Sequence, residues 1–105
     1  MVIIETSVFT KQVQKLLSAE EYQLLQSVLV EQPDAGSLIR GSGGLRKIRW
    51  AAKGRGKRGG NRVIYYWAVS QEQLLMLLIY PKNVRDDLSH DQLHMLRKIV
   101  EAEYS

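Results

Sequence analysis

Nine basic residues stand between positions 40 and 62 with no acid among them: Arg40, Arg46, Lys47, Arg49, Lys53, Arg55, Lys57, Arg58 and Arg62. Of the 15 Lys/Arg in the chain the other six lie elsewhere, against all 11 Asp/Glu, so the formal excess of +4 sits wholly in this window. Such concentration suits a polyanion better than a high pI alone would. Arginine and lysine neutralise phosphates, and glycine lets a backbone come close to a ligand; the run GRGKRGG supplies both. The same cations stabilise the charge that gathers on phosphorus oxygens when an RNA 2′-OH attacks its neighbouring phosphate. Crowded cations also make a lysine easier to deprotonate, which makes the group Lys47, Arg49, Arg62 and Lys82 a candidate for proton movement as well as charge stabilisation. Arg62 follows a glycine pair at the mouth of a strand, a surface position from which it reaches a phosphate and contributes little to fold stability.

Other chemistry is sparse. His90 and His94 are one helical turn apart, the spacing of a two-histidine metal pair, but no third ligand or HExxH pattern accompanies them. They share a face with Arg97, Lys98 and Glu101, which reads as a solvated surface. His90, beside a helix cap, stays a candidate acid–base group. There is no Gly-x-Ser-x-Gly and no GxxxxGK[ST] loop. Hard cations bind through carboxylates, and the basic window offers none, so neither a metal nor a cofactor is expected. Tyr65, Tyr66 and Trp67 could stack on bases, although in a half-buried strand at least two of them belong to the core.

The elements that must position these groups are legible. Arg46 to Trp50 alternates, with Ile48 and Trp50 on one face and Lys47 and Arg49 on the other. Arg62 to Trp67 is β-branched and aromatic, a more deeply buried strand. Ala51 to Asn61 joins them. It reads as a phosphate-binding loop rather than a solubilising tip, because its cations continue into both flanking strands. Upstream, Val2-Ile3-Ile4 forms a short strand, and Thr6 or Ser7 caps a helix with Phe9, Val13, Leu16 and Leu17 inward. Ser18-Ala19-Glu20-Glu21 is a capping box opening a second helix that buries Tyr22, Leu25, Val28 and Leu29, with Leu24 alongside, and stops near Gln32 before Pro33. Residues 33–44 read as a loop. Downstream, Leu74 to Tyr80 is apolar on both faces, as a central strand is. Ser89-His90-Asp91-Gln92 is a second capping box, opening a helix with Leu93, Leu96, Ile99 and Val100 inward. The order is β-α-α-β-β-β-α. It implies an α+β fold: an antiparallel sheet, the helical hairpin on one face, the basic side chains on the other, and a C-terminal helix.

The 105 residues make one domain spanning 1–105. With no cysteine there is no disulfide framework or thiolate metal site, which fits a reducing compartment. No signal peptide or membrane-length apolar run is visible, and a cytoplasmic location is expected.

The segment LRKIRWAAKGRGKRGGNRVIYYW, the later LLIYPKN and the order of elements together resemble the RelE/ParE superfamily of toxin–antitoxin toxins, in its HigB-like branch. The resemblance covers nearly the whole chain. It implies a cytosolic, ribosome-dependent mRNA endonuclease that inhibits translation, works without a metal, and is restrained by a cognate antitoxin of HigA-like helix-turn-helix type. It places the family's basic pair on Lys47 and Arg49, its strand-opening arginine on Arg62 and its late basic residue on Lys82. Asn83 stands where a further arginine is expected. The family's C-terminal catalytic tyrosine has no counterpart, Ser89 and His90 occupying its place. Arg46, Lys53, Arg55, Lys57 and Arg58 are then RNA-binding residues. Two other readings remain open: a ParE-like inhibitor of DNA gyrase on the same fold, and a non-enzymatic RNA- or ribosome-binding module.

Overall fold

The computed structural model describes residues 1–51, 60–85 and 87–105. The order of elements is β1 (Val2–Glu5), α1 (Ser7–Leu16), α2 (Ala19–Glu31), β2 (Ser37–Leu38), β3 (Leu45–Trp50), β4 (Asn61–Ala68), β5 (Gln73–Pro81) and α3 (His90–Tyr104). The helices begin where their capping residues dictate. The Thr6 hydroxyl accepts from the Phe9 N–H at the start of α1. Ser18 with Glu21, and Ser89 with Gln92, form reciprocal capping boxes that satisfy otherwise orphaned donors of α2 and α3. Helix α2 ends at Glu31, immediately before the Gln32–Pro33 step that helical geometry disfavours.

The five strands form one sheet in the order β1-β5-β4-β3-β2. This corrects the expected all-antiparallel sheet: β1 lies parallel to β5, Val2 beside Gln73 and Glu5 beside Met76, while the other pairs are antiparallel. A parallel partner requires a long crossover, and here the crossover comprises the helical hairpin and three strands. The join is locked by Thr6, whose N–H donates to the Met76 carbonyl and whose hydroxyl donates to that of Leu77. The fifth strand, β2, lies inside the expected loop. Its two residues pair Ser37 with Lys47 and Leu38 with Arg46, too short a stretch to show alternation in sequence. Tyr65 anchors the connection from α2: its phenol donates to the Pro33 carbonyl (2.6 Å) and accepts from the Gly36 N–H (2.9 Å).

Side-chain parity divides the core in two. Val63, Tyr65, Leu74 and Met76 face the hairpin, where Phe9, Val13, Leu17, Leu25 and Leu29 close over them. Leu45, Ile64, Leu75 and Leu77 face the other way and are covered by Leu96 and Val100 of α3. The basic side chains therefore share their face with a helix instead of holding it alone, a second correction. Leu24, Val28 and Ile99, expected inward, are exposed. Each lies next to a buried helix position, and the covered stripes (Tyr22, Leu25, Leu29 on α2; Leu96, Val100 on α3) are narrower than the apolar residues in those helices suggest. No helix among the described residues is long and apolar enough to cross a membrane.

Candidate nucleic-acid interface

Alternation on β3 and β4 places Leu45, Lys47 and Arg49 on the α3 face together with Arg62, Ile64 and Tyr66. Arg49 is directly opposite Arg62, and Arg62 in turn is opposite Tyr80 of β5. Three adjacent strands thus carry one transverse row, Arg49–Arg62–Tyr80, with Lys47 in the next row beside Ile64.

Tyr80 reaches this row through a bulge. The β4–β5 register shifts between Ile64, which pairs with Leu78, and Tyr65, which pairs with Met76, leaving Leu77 as the extra residue. Before the bulge even-numbered β5 residues face the hairpin; after it Leu78 and Tyr80 face α3. Without the extra residue Tyr80 would point into the hairpin core. Bulges commonly re-aim a side chain in this way.

Like charges directly opposite one another across an antiparallel pair are destabilising. Arg62 is moreover only 3% exposed, which corrects the expected surface arginine. It lies at the mouth of its strand in sequence but beneath its neighbours in space, and a buried guanidinium depends on the groups around it. Arg49 is exposed, and the Lys47 side chain is 22% exposed.

Lys47 Nζ lies 2.7 Å from Asp87 Oδ1. The hydrogen bond and charge of Lys47 hold the Asp87 carboxyl below the usual carboxylate range, with Arg62 and Arg49 adding to the effect. A carboxylate therefore stands at a site for which sequence reading expected none. The signal for it was topological. The segment from β5 to α3 passes over the face on which Lys47 and Arg49 point, and it brings Asp87 to Lys47. Lys47, Asp87, Arg40 and Tyr80 line a cleft of about 230 Å³ whose apolar wall includes Ile64 and Leu93.

Of the other site residues expected from sequence, Lys82 is exposed one residue past β5, at the sheet end that holds the row; its N–H donates to the Gly60 carbonyl. Gly60 has φ +59°, and a Cβ there would lie 2.7 Å from Ala51 Cα, so a side chain would prise open the base of the β3–β4 connection. His90 and His94 are exposed on α3, and among the described residues no group of three or more His, Cys, Asp or Glu is gathered as a metal site would require. Arg46 is separated from the cluster. It projects from the opposite face of β3, and its guanidinium donates to the Gly36 carbonyl at 2.7 Å, bracing the chain that enters β2. Lys53, Arg55, Lys57 and Arg58 lie outside the described residues. Tyr65, a stacking candidate by type, is wholly buried. A second hollow, about 390 Å³ beside α1 and α2, holds the Glu5 carboxylate, but both its oxygens are occupied by the Thr10 and Tyr22 hydroxyls.

The fold is similar to that of solved RelE proteins. The isolated E. coli RelE toxin superposes with a TM-score of 0.57 at 18% identity, over 93% of this chain and 97% of that one. The toxin of the intact E. coli RelBE toxin–antitoxin complex gives 0.55 at 20% identity, over 74% and 92%. At such identity the likeness establishes the fold. The family is established by sequence: the model for the RelE toxin of the RelE/RelB toxin–antitoxin system matches residues 1–104, and the chain belongs to the RelE toxin family.

Proposed function

We propose that this chain is a HigB-like toxin that cleaves mRNA on the ribosome in the cytoplasm, held in check by a HigA-like antitoxin. The observation that carries the reading is the transverse row, in which Arg49 faces Arg62 across two strands and Tyr80 flanks them. The exposed Arg49 can close on an anion that approaches this row, and Arg62 beside it adds to the positive field there. A phosphodiester is such an anion, and the elongated basic window suits a strand of them.

In this reading the substrate's 2′-oxygen forms a bond to the adjacent phosphorus as the bond to the 5′-oxygen breaks. The 2′-OH proton passes to a lysine of the cluster or to His90, and the departing 5′-oxygen takes up a proton. Arg62 and Arg49 counter the charge on the equatorial oxygens, while Lys47 and Lys82 hold the flanking backbone. The products are a 2′,3′-cyclic phosphate and a 5′-OH. Lys53, Arg55, Lys57 and Arg58 are assigned from sequence to ribosomal or message phosphates; neutralising two of them should flatten the salt dependence of ribosome association by up to about one log–log unit per lost contact.

The test is brief induction followed by mapping of new mRNA 5′ ends, with and without active translation. New 5′-OH ends that need translation are expected. A programmed ribosome whose message carries one 2′-deoxy nucleotide on the 5′ side of the cut should resist cleavage; normal cutting there would point to an activated water. Growth arrest with blocked gyrase supercoiling and no new ends would replace the reading with a ParE-like one.

A further inference from the structure

Asp87 is a misfit in the cluster it joins. Its side chain is 80% exposed, and an ion pair so open to water adds little to stability. Stability is therefore a weak reason for its presence. Yet its carboxylate lies against Lys47, beside the Arg49–Arg62 row and on the wall of the cleft that Lys47 and Tyr80 also line. A carboxylate carries one negative charge on two acceptor oxygens, as do the two non-bridging oxygens of a phosphodiester.

We propose that Asp87 is a built-in counter-anion that occupies the phosphate position on Lys47 and is displaced by the phosphate backbone of the substrate. Binding is then an exchange at Lys47, one anion for another, and a new gain at the exposed Arg49. A single phosphate that reaches only Lys47 gains almost nothing by the exchange. A strand that covers Lys47 and reaches Arg49 as well gains at the second contact what the exchange does not give it. The device thus discriminates against small anions and favours extended ones. That the displacing strand is RNA rests on the function proposed above; the displacement itself does not.

The test uses the full-length toxin, freed from antitoxin, as wild type and as Asp87→Asn and Asp87→Ala, with Glu31→Gln on the remote α2 as a control for net charge. Binding is measured to a 2′-O-methyl oligoribonucleotide, which cannot undergo 2′-OH attack, and to a short linear polyphosphate, at several salt concentrations. Thermal melts establish that each variant is folded. Both Asp87 variants should bind the two probes about three- to tenfold more tightly at low salt, the gain shrinking as salt screens the site. Glu31→Gln should change binding less than about twofold. Unchanged binding by both Asp87 variants overturns the proposal, as does an equal gain in Glu31→Gln. Loss of ribosomal cleavage with binding unchanged also overturns it, by making Asp87 a proton acceptor. A gain on polyphosphate by a protein that cuts no message leaves the counter-anion standing and removes the ribonuclease reading instead.

Discussion

The two faces of the sheet solve different problems with the same strands. On the hairpin face, two helices close over an apolar cluster running from Phe9 to Ile79, and Tyr65 and Glu5 are bonded within the chain. On the opposite face a single helix, α3, covers one end, and the other end carries Arg49, Lys47 and the buried Arg62. Parity alone separates the two, because successive residues of a strand point to opposite sides. Val63 and Tyr65 therefore pack under the hairpin, while Ile64 packs under α3 and Arg62 lies at the basic end of that second face. Damage to the hairpin face should register as unfolding, and damage to the basic end of the other face as lost function.

The largest expected effect belongs to the hairpin face. Phe9 is fully buried at the centre of its cluster, so Phe9→Ala should cost about 3–5 kcal/mol in denaturant unfolding. Cleavage per folded molecule should stay normal below the transition. A loss of activity without a loss of stability would break the division of labour.

Arg62→Ala is the converse. Loss of one donor to a developing oxyanion typically lowers turnover about 10²–10³-fold. Because Arg62 is buried, this substitution should also cost about 1–3 kcal/mol of stability, so the division is incomplete at this one residue. Arg62→Lys separates the two contributions, since it keeps the charge and loses the forked geometry. Unimpaired cleavage by a folded Arg62→Ala protein would remove the row from the mechanism.

Tyr65→Phe leaves the hairpin face filled but strips the phenol from the Pro33 carbonyl and the Gly36 N–H. Leaving a buried donor unanswered costs about 1–3 kcal/mol, and the midpoint of urea unfolding should fall accordingly with little change in cleavage.

The smallest effect is a pH response that involves Tyr22 on the hairpin face. Burial, then the hydrogen bond and charge of Glu5, push the Tyr22 phenol well above its ordinary value. A raised folded-state pKa means that the folded protein holds the proton more tightly. The associated stability is present below the unfolded value of about 10 and is lost as pH rises beyond it. Alkaline titration of the unfolding free energy should steepen above about pH 10 in wild type and less so in Tyr22→Phe. Identical alkaline slopes would show that Tyr22 titrates as it does in the unfolded chain.

Sequence legibility follows the same line between local and distant causes. The helix starts at Thr6, Ser18 and Ser89, and the strands around Ile48 and Ile64, were readable because their signals lie within a few residues. The parallel placement of β1, the brief β2 and the bulge at Leu77 were not, since each is set by partners far along the chain. At the site, Lys47, Arg49 and Arg62 were legible as a basic cluster from alternation. Their company was not. Tyr80 joins the row through the bulge, and Asp87 through the crossing from β5 to α3. Arg46, identical in type to its neighbours, is excluded from the cluster only by parity and by the Gly36 carbonyl that holds it.

The parallel pairing of β1 with β5 sets a timetable for the newborn chain. Thr6 must wait for Leu77, 71 residues later, before its hydroxyl finds the carbonyl it closes on. Contacts so distant in sequence form late and slow the folding of small domains. During synthesis the N-terminal strand and hairpin emerge with no sheet edge to receive them, and the cationic row lacks Tyr80 until β5 has been made. A chain stalled before residue 73 should therefore be protease-sensitive in its first 31 residues, and one released after residue 81 should be protected there. Partial products that end before β5 would then lack Tyr80 and an edge for β1, and the row would be complete only once β5 had been made.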